Sequence, residues 1–183
     1  MAATTATNSY LQRLIGAMSL DAAIYEEVEA DRDATGQALA TVLLSSIAAG
    51  IGSRGLEAVS LTSIIFISTV SLIAWVAWAL LTFEIGGRLM PEPQTRVDAG
   101  ELLRTIGFAS TPGMLRVLGV IPGATIPVFA ATAVWMLLAT IVAVRQALDY
   151  RGTARAVAVC LIGWVLAIAV AVVLGLFFGP TLS

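Results

Sequence analysis

Glu57-Ala-Val-Ser-Leu-Thr-Ser-Ile-Ile-Phe-Ile-Ser-Thr-Val-Ser-Leu-Ile-Ala-Trp-Val-Ala-Trp-Ala-Leu-Leu-Thr-Phe83 decides the fold of this chain. Its only charge is Glu57, at its edge. About 20 apolar residues suffice for a helix to cross a bilayer core, and this stretch exceeds that. Four more apolar stretches accompany it, at residues 35–52, 104–120, 124–144 and 156–178. The first is slightly short and the third is interrupted, yet all five read as spans. The expected fold is therefore all-α: a polytopic membrane protein, a bundle of five transmembrane helices with the third broken at Pro112, preceded by an amphipathic and acidic N-terminal helix. Residues 1–34 form an expected cytoplasmic region and residues 35–183 the transmembrane domain.

Composition agrees. The chain is 58% hydrophobic and 12% charged, with a mean hydropathy of +0.93, against about 25% charged in soluble domains. A formal net charge of −2 gives no reason to expect nucleic-acid binding. All ten basic residues are arginines, which reads as the codon bias of a GC-rich genome. The opening residues lack the basic start and apolar core of a signal peptide, so the first span is expected to act as its own insertion signal.

Orientation follows from the arginines. With the N-terminus in the cytoplasm, Arg13, Arg32, Arg88, Arg96, Arg104, Arg145, Arg151 and Arg155 lie inside, and only Arg54 and Arg116 outside. That asymmetry is the positive-inside signal. The C-terminus then lies on the opposite side, and a soluble partner would meet the cytoplasmic face.

The N-terminal region has two parts. Tyr10, Leu11, Leu14, Ile15 and Met18 share one helical face, with Gln12 and Arg13 off it, the pattern of a helix lying in the membrane interface. The second part begins at Asp21, a helix cap, and turns Ile24 and Val28 inward. Glu26, Glu27, Glu29 and Asp31, with Asp33, make an acidic surface beside the membrane. It reads either as a solvated face or as a docking site for a basic partner. The carboxylates lack the glycine turn and alternate spacing of a calcium loop, so no metal site is expected.

The run Tyr25-Glu26-Glu27-Val28-Glu29-Ala30-Asp31, followed by Ala34-Thr35-Gly36-Gln37-Ala38, resembles the N-terminal signature of bacterial members of the Yip1 family. Further similarities fall at Ile85-Gly86-Gly87-Arg88-Leu89, at Glu101 through Pro112, and at Trp135 through Asp149, in the expected order. The resemblance implies five transmembrane helices, a cytoplasmic N-terminus and a place in the bacterial cytoplasmic membrane. Eukaryotic members act in membrane trafficking with small GTPases. Their Asp-Leu-Tyr-Gly-Pro type motif is absent here, so a GTPase partner is not carried over. Glu84 also departs from the family's apolar tendency at that position.

The spans carry packing information. Gly163, Ala167, Ala171, Gly175 and Gly179 recur every four residues along the fifth, a spacing that lets helix backbones approach closely. The partner is either another helix of the same chain or another protein. Shorter versions occur at Ala139, Ala143 and Ala147, and at Ala48 and Gly52. In the third span Pro112 removes a donor and clashes with the preceding turn, and Ser110 and Thr111 are placed to satisfy the freed backbone. Arg116 lies near the external end and has two readings: snorkelling to headgroups, or a lipid-headgroup or anion site facing the bundle interior. Glu84 with Arg88, and Arg145 with Asp149, have the i,i+4 spacing of helix ion pairs.

The catalytic inventory is bare. With no His, His-based triads and the usual proton shuttle are missing. The single Cys160 lies inside a span, and no phosphate loop, dinucleotide fingerprint or nucleophile elbow occurs. No enzymatic activity or cofactor is expected, although a pigment or quinone between helices would leave no sequence signature. Three readings remain: a Yip1-like scaffold organising membrane or cytoplasmic partners, an accessory subunit of a larger membrane complex (respiratory, photosynthetic or transport), and a small channel or transporter. The expected contacts are the bilayer and a protein partner or a second copy through the spans.

Overall fold

The computed structural model describes residues 8–54 and 60–178, with the backbone alone at 54, 168 and 170–178. Among the described residues every regular element is helical: α1 Tyr10–Met18, α2 Ala22–Ala30, α3 Ala34–Arg54, α4 Leu61–Thr82, α5 Ala99–Ala109, α6 Thr125–Ala147 and α7 Thr153–Phe178. A π segment, Phe83–Leu89, continues α4, and a 3₁₀ segment, Thr111–Val120, follows α5. The starts follow local chemistry. Ser9 with Gln12, Ser60 with Ser63 and Asp98 with Glu101 form reciprocal capping boxes, and Asp21 caps α2 as its sequence predicts.

Among the described residues three helices are long and apolar enough to cross a membrane: Ala34–Ser53, Leu61–Leu89 and Thr125–Ala147. The sequence predicts five spans. The difference lies in the third stretch, which is divided between α5 and the 3₁₀ segment, and in α7, described by backbone alone over its outer half. Leu61, Ile65, Phe66 and Ile73 on α4, Ile126 and Val134 on α6, and Leu161 and Val165 on α7 are all largely exposed. An apolar outer surface of this extent needs hydrocarbon rather than water around it. These features make the protein a membrane protein.

The divided third stretch lies at the centre. Of the eleven residues of α5, seven are buried. Leu102 and Ile106 enter a core with Ile85, Val144, Leu148, Tyr150 and Val159. Phe108 and Ala109 enter another with Tyr25, Val28, Ala34, Ala38, Ala139 and Ala143. Pro112 falls in the first turn of the 3₁₀ segment, where a missing N–H costs least. The hydroxyls of Ser110 and Thr111 donate to the carbonyls of Gly107 and Phe108, both at 2.6 Å.

Along this stretch α3 packs through small residues. A Cβ on Gly107 would come within 2.7 Å of Ala38 Cβ, one on Gly113 would collide with Ser45 Oγ, and one on Gly52 would collide with the Arg116 carbonyl. Ala38, Ser45 and Gly52 are seven apart, so they form a seam on one side of α3, as small residues do where membrane helices approach closely. At the other end Tyr150 ties the π segment to α6: its hydroxyl lies 2.9 Å from the carbonyls of both Gly86 and Met90.

Candidate functional site

The Arg-rich end of the bundle carries the α1–α2 hairpin, and two buried arginines hold it there. The sequence places Arg13 off the apolar, membrane-interface face of α1; the structure buries it, with 1% of its side chain exposed. Its Nε donates to Glu27 (2.9 Å), one terminal nitrogen to Gln37 of α3 (2.9 Å) and the other to Asp31 (2.6 Å). Asn8 donates to the second Glu27 oxygen. The burial has a physical cause. A guanidinium can be buried when every donor finds an oxygen, and α2 supplies two carboxylates. Leu11 and Ile15 are left pointing outward, 65% and 56% exposed, which keeps an apolar face available to a membrane interface.

Arg104, expected among the cytoplasmic charges, is also buried. Its Nε donates to the carbonyls of Val28 and Glu29, both at 3.0 Å, and a terminal nitrogen bonds to Glu29 as well. It thus satisfies carbonyls at the C-terminal end of α2. Trp135 does the same for α1, its indole N–H donating to the Met18 carbonyl at 2.8 Å.

The four carboxylates singled out from the sequence therefore divide. Arg13 engages Glu27 and Asp31. Burial works against the Glu27 charge, but hydrogen bonds from Asn8 and Arg13 outweigh it and hold the carboxyl below its ordinary range. The Arg13 hydrogen bond holds Asp31 low too, against the opposing effect of burial. Glu26 and Glu29 instead line an open cavity of about 510 Å³ with Glu101, Asp149, Arg145 and Tyr150. Glu26 accepts a hydrogen bond from Gln146 at 2.7 Å. Burial, then the charges of Glu101, Asp149 and Glu26, push the Glu29 carboxyl up to about 7, with Arg104 opposing.

The expected Arg145–Asp149 pair does not form among the described residues. The helix ends at Ala147 and Asp149 takes a left-handed conformation (φ 52°), which takes it off the i+4 face; Arg145 faces the Tyr150 carbonyl at 3.4 Å. Glu84 and Arg88 do pair, at 2.9 Å, but both are more than half exposed and contribute little. Among the described residues, no three or more His, Cys, Asp or Glu side chains converge on a point where a metal ion could sit.

Arg116 sits in the other half of the bundle. Its Nε donates to Thr132 Oγ1 at 3.2 Å, and its guanidinium lies over the Phe129 ring, 5.3 Å from the centroid. Of the small-residue stripe on α7, Gly163 is buried, and a Cβ there would meet Trp78 at 3.1 Å. Ala167 is exposed and lines an apolar groove of about 450 Å³ with Ala74, Ala77, Trp78 and Leu81 of α4. The side chains of Ala171 and Gly175, and all of Gly179, lie outside the described residues.

Sequence reasoning missed the structural roles of Arg13 and Arg104, and it missed the α3 seam. The arginines left no signal, because their partners lie 14 to 76 positions away. The heptad spacing of Ala38, Ser45 and Gly52 was there to be read. No curated protein and no solved structure matches the chain. The Yip1 domain model matches residues 19–174, an interval that runs from the α1–α2 turn into α7 and includes the C-terminal end of α2 that Arg13 and Arg104 engage. The chain belongs to the Yip1 domain family.

Proposed function

We propose that this protein is a five-span scaffold of the bacterial cytoplasmic membrane, without catalytic chemistry, that presents its N-terminal hairpin to a basic cytoplasmic partner. The observation that carries this reading is the docking of α2 through Arg13 and Arg104, which fixes Glu26 and Glu29 beside Glu101 and Asp149 around one open cavity. Acidic residues on a rigid frame attract and orient a cationic partner with little ordering cost. Glu27 and Asp31, already engaged by Arg13, serve the frame rather than the partner. In this arrangement α5 and the 3₁₀ segment together form the third span, about 16 Å of α-helix followed by about 20 Å of 3₁₀ helix, and α7 forms the fifth.

Extraction of the tagged full chain in mild detergent, with sizing and mass spectrometry of what travels with it, tests the reading. The expected result is this chain with lipid and a basic cytoplasmic protein that is lost from the Glu26→Gln, Glu29→Gln double variant. A second reading, an accessory subunit of a larger complex, is favoured by the apolar groove between α4 and α7, which suits a partner helix. It predicts a large particle of fixed composition, unaffected by that double variant.

A further inference from the structure

Arg116 is half-buried and has an unoccupied fork among the described residues. It stands in the 3₁₀ segment with only Nε engaged, while its two terminal nitrogens bond to nothing among the described residues. By contrast, Arg13 uses all three nitrogens, and Arg104 uses two against carbonyls. Thr132 and the Phe129 ring hold the guanidinium in place, and the Arg116 carbonyl is packed against Gly52. The residue is thus positioned by its surroundings and its donors are left over.

Those donors border a cleft of about 380 Å³ between α3, α4, the 3₁₀ segment and α6. Among the described residues its lining contains Arg116 and five serines and no carboxylate. Three of the serines, Ser46, Ser53 and Ser110, donate to carbonyls of their own helices. Ser45 and Ser71 have no hydrogen-bond partner among the described residues. Ser45 is only 5% exposed, yet its residue lines the cleft, so its hydroxyl is held in place at the cleft wall and is available to a ligand there. Ile67, Phe129 and Met136 complete the lining with apolar surface.

We propose that this cleft binds the phosphate group of a phospholipid, with Arg116 donating its fork and Ser45 and Ser71 adding hydroxyl donors. A guanidinium with both terminal nitrogens free matches two phosphate oxygens at once. An Arg at membrane depth is expensive unless an anion meets it. The apolar part of the lining suits the glycerol and first acyl carbons. A soluble phosphate ester offers the same anion without the acyl chains, so the two sources are separable. The inference needs the chain to lie in a membrane, but not the acidic cavity to bind a partner.

The test uses full-length protein purified in detergent, stripped of lipid, and followed by native mass spectrometry during titration with phosphatidylglycerol, with diacylglycerol of the same chains, and with glycerol 3-phosphate. The expected result is one phosphatidylglycerol retained and no diacylglycerol. Affinity should fall about tenfold or more in Arg116→Gln and several-fold in Arg116→Lys, which keeps the charge and loses the fork. Ser71→Ala, a mild change, should weaken retention about two- to fivefold and serves where Arg116→Gln does not fold. Glycerol 3-phosphate binding as tightly as the lipid would overturn a lipid as the source of the phosphate. Equal retention of phosphatidylglycerol by the wild type, Arg116→Lys and Ser71→Ala would overturn the proposal. So would a gain in binding on Glu57→Gln, because the fork would then belong to that carboxylate. Partner capture through Glu26 and Glu29 should survive Arg116→Lys, so this inference and the scaffold reading fail separately.

Discussion

Arg13 shows how much one side chain contributes to the Arg-rich end. Its guanidinium joins α1, α2 and α3 through Glu27, Asp31 and Gln37. Removing one partner from such a buried set leaves charges uncompensated, so Arg13→Met should destabilise the docked hairpin by about 2–4 kcal/mol. Hydrogen exchange over residues 10–30 would show it as lost protection, with α4 unchanged; undiminished protection would mean the apolar contacts of Tyr25 and Val28 suffice. Glu29 gives a pH dependence of definite sign. Its folded pKa of about 7 lies above the ordinary 4.5, so its contribution is full below the ordinary value and is lost as pH rises through 7. Glu27 and Asp31 are held low, so theirs is present above their ordinary values and lost only as pH falls. Between pH 5 and 8, of these three carboxyls Glu29 should act. Protection of α2 should weaken by roughly 1–2 kcal/mol across that window, after discounting for partial exposure, and Glu29→Gln should flatten the profile. A flat profile in the wild type would remove Glu29 from the account.

At the scale of the element, the α3 seam is the contact least tolerant of change. Gly52 and Gly113 leave no room for a Cβ: the first meets a backbone carbonyl, the second a buried hydroxyl. A backbone oxygen cannot step aside as a flexible side chain can, so Gly52→Ala should cost about 1–3 kcal/mol, read as a lower midpoint of thermal unfolding in detergent. Gly36, with nothing within 4 Å of a built Cβ, is the matched control, and Gly36→Ala should leave the midpoint unchanged or slightly raised. The seam also explains why the third stretch can afford its irregularity. Its 3₁₀ turns are flanked by α3 and α6, and Ser110 and Thr111 satisfy the carbonyls left at the end of α5.

For the whole molecule, the proposed five-span arrangement would put Gln94 and Pro122 on opposite sides of the membrane. In a Cys160→Ser background, Pro122→Cys should react with an impermeant maleimide in intact cells, and Gln94→Cys only after permeabilisation. Labelling of both in intact cells would sink the arrangement. The membrane character was legible in the sequence, because an apolar run long enough to cross a bilayer is a property of the chain itself. Helix positions, the Asp21 cap, the inward turn of Ile24 and Val28 and the family all follow from neighbouring residues. The sequence alone determined that the chain is a helical membrane protein with six of its twelve acids ahead of the first apolar stretch. The tertiary structure decided which of those acids Arg13 engages, that Arg13 and Arg104 are buried struts, and that Arg116 keeps its fork free of the described residues. Periodicity reports which face of a helix is apolar, but a buried charge is settled by oxygen atoms that arrive from other helices, and those meet it only when the chain has folded.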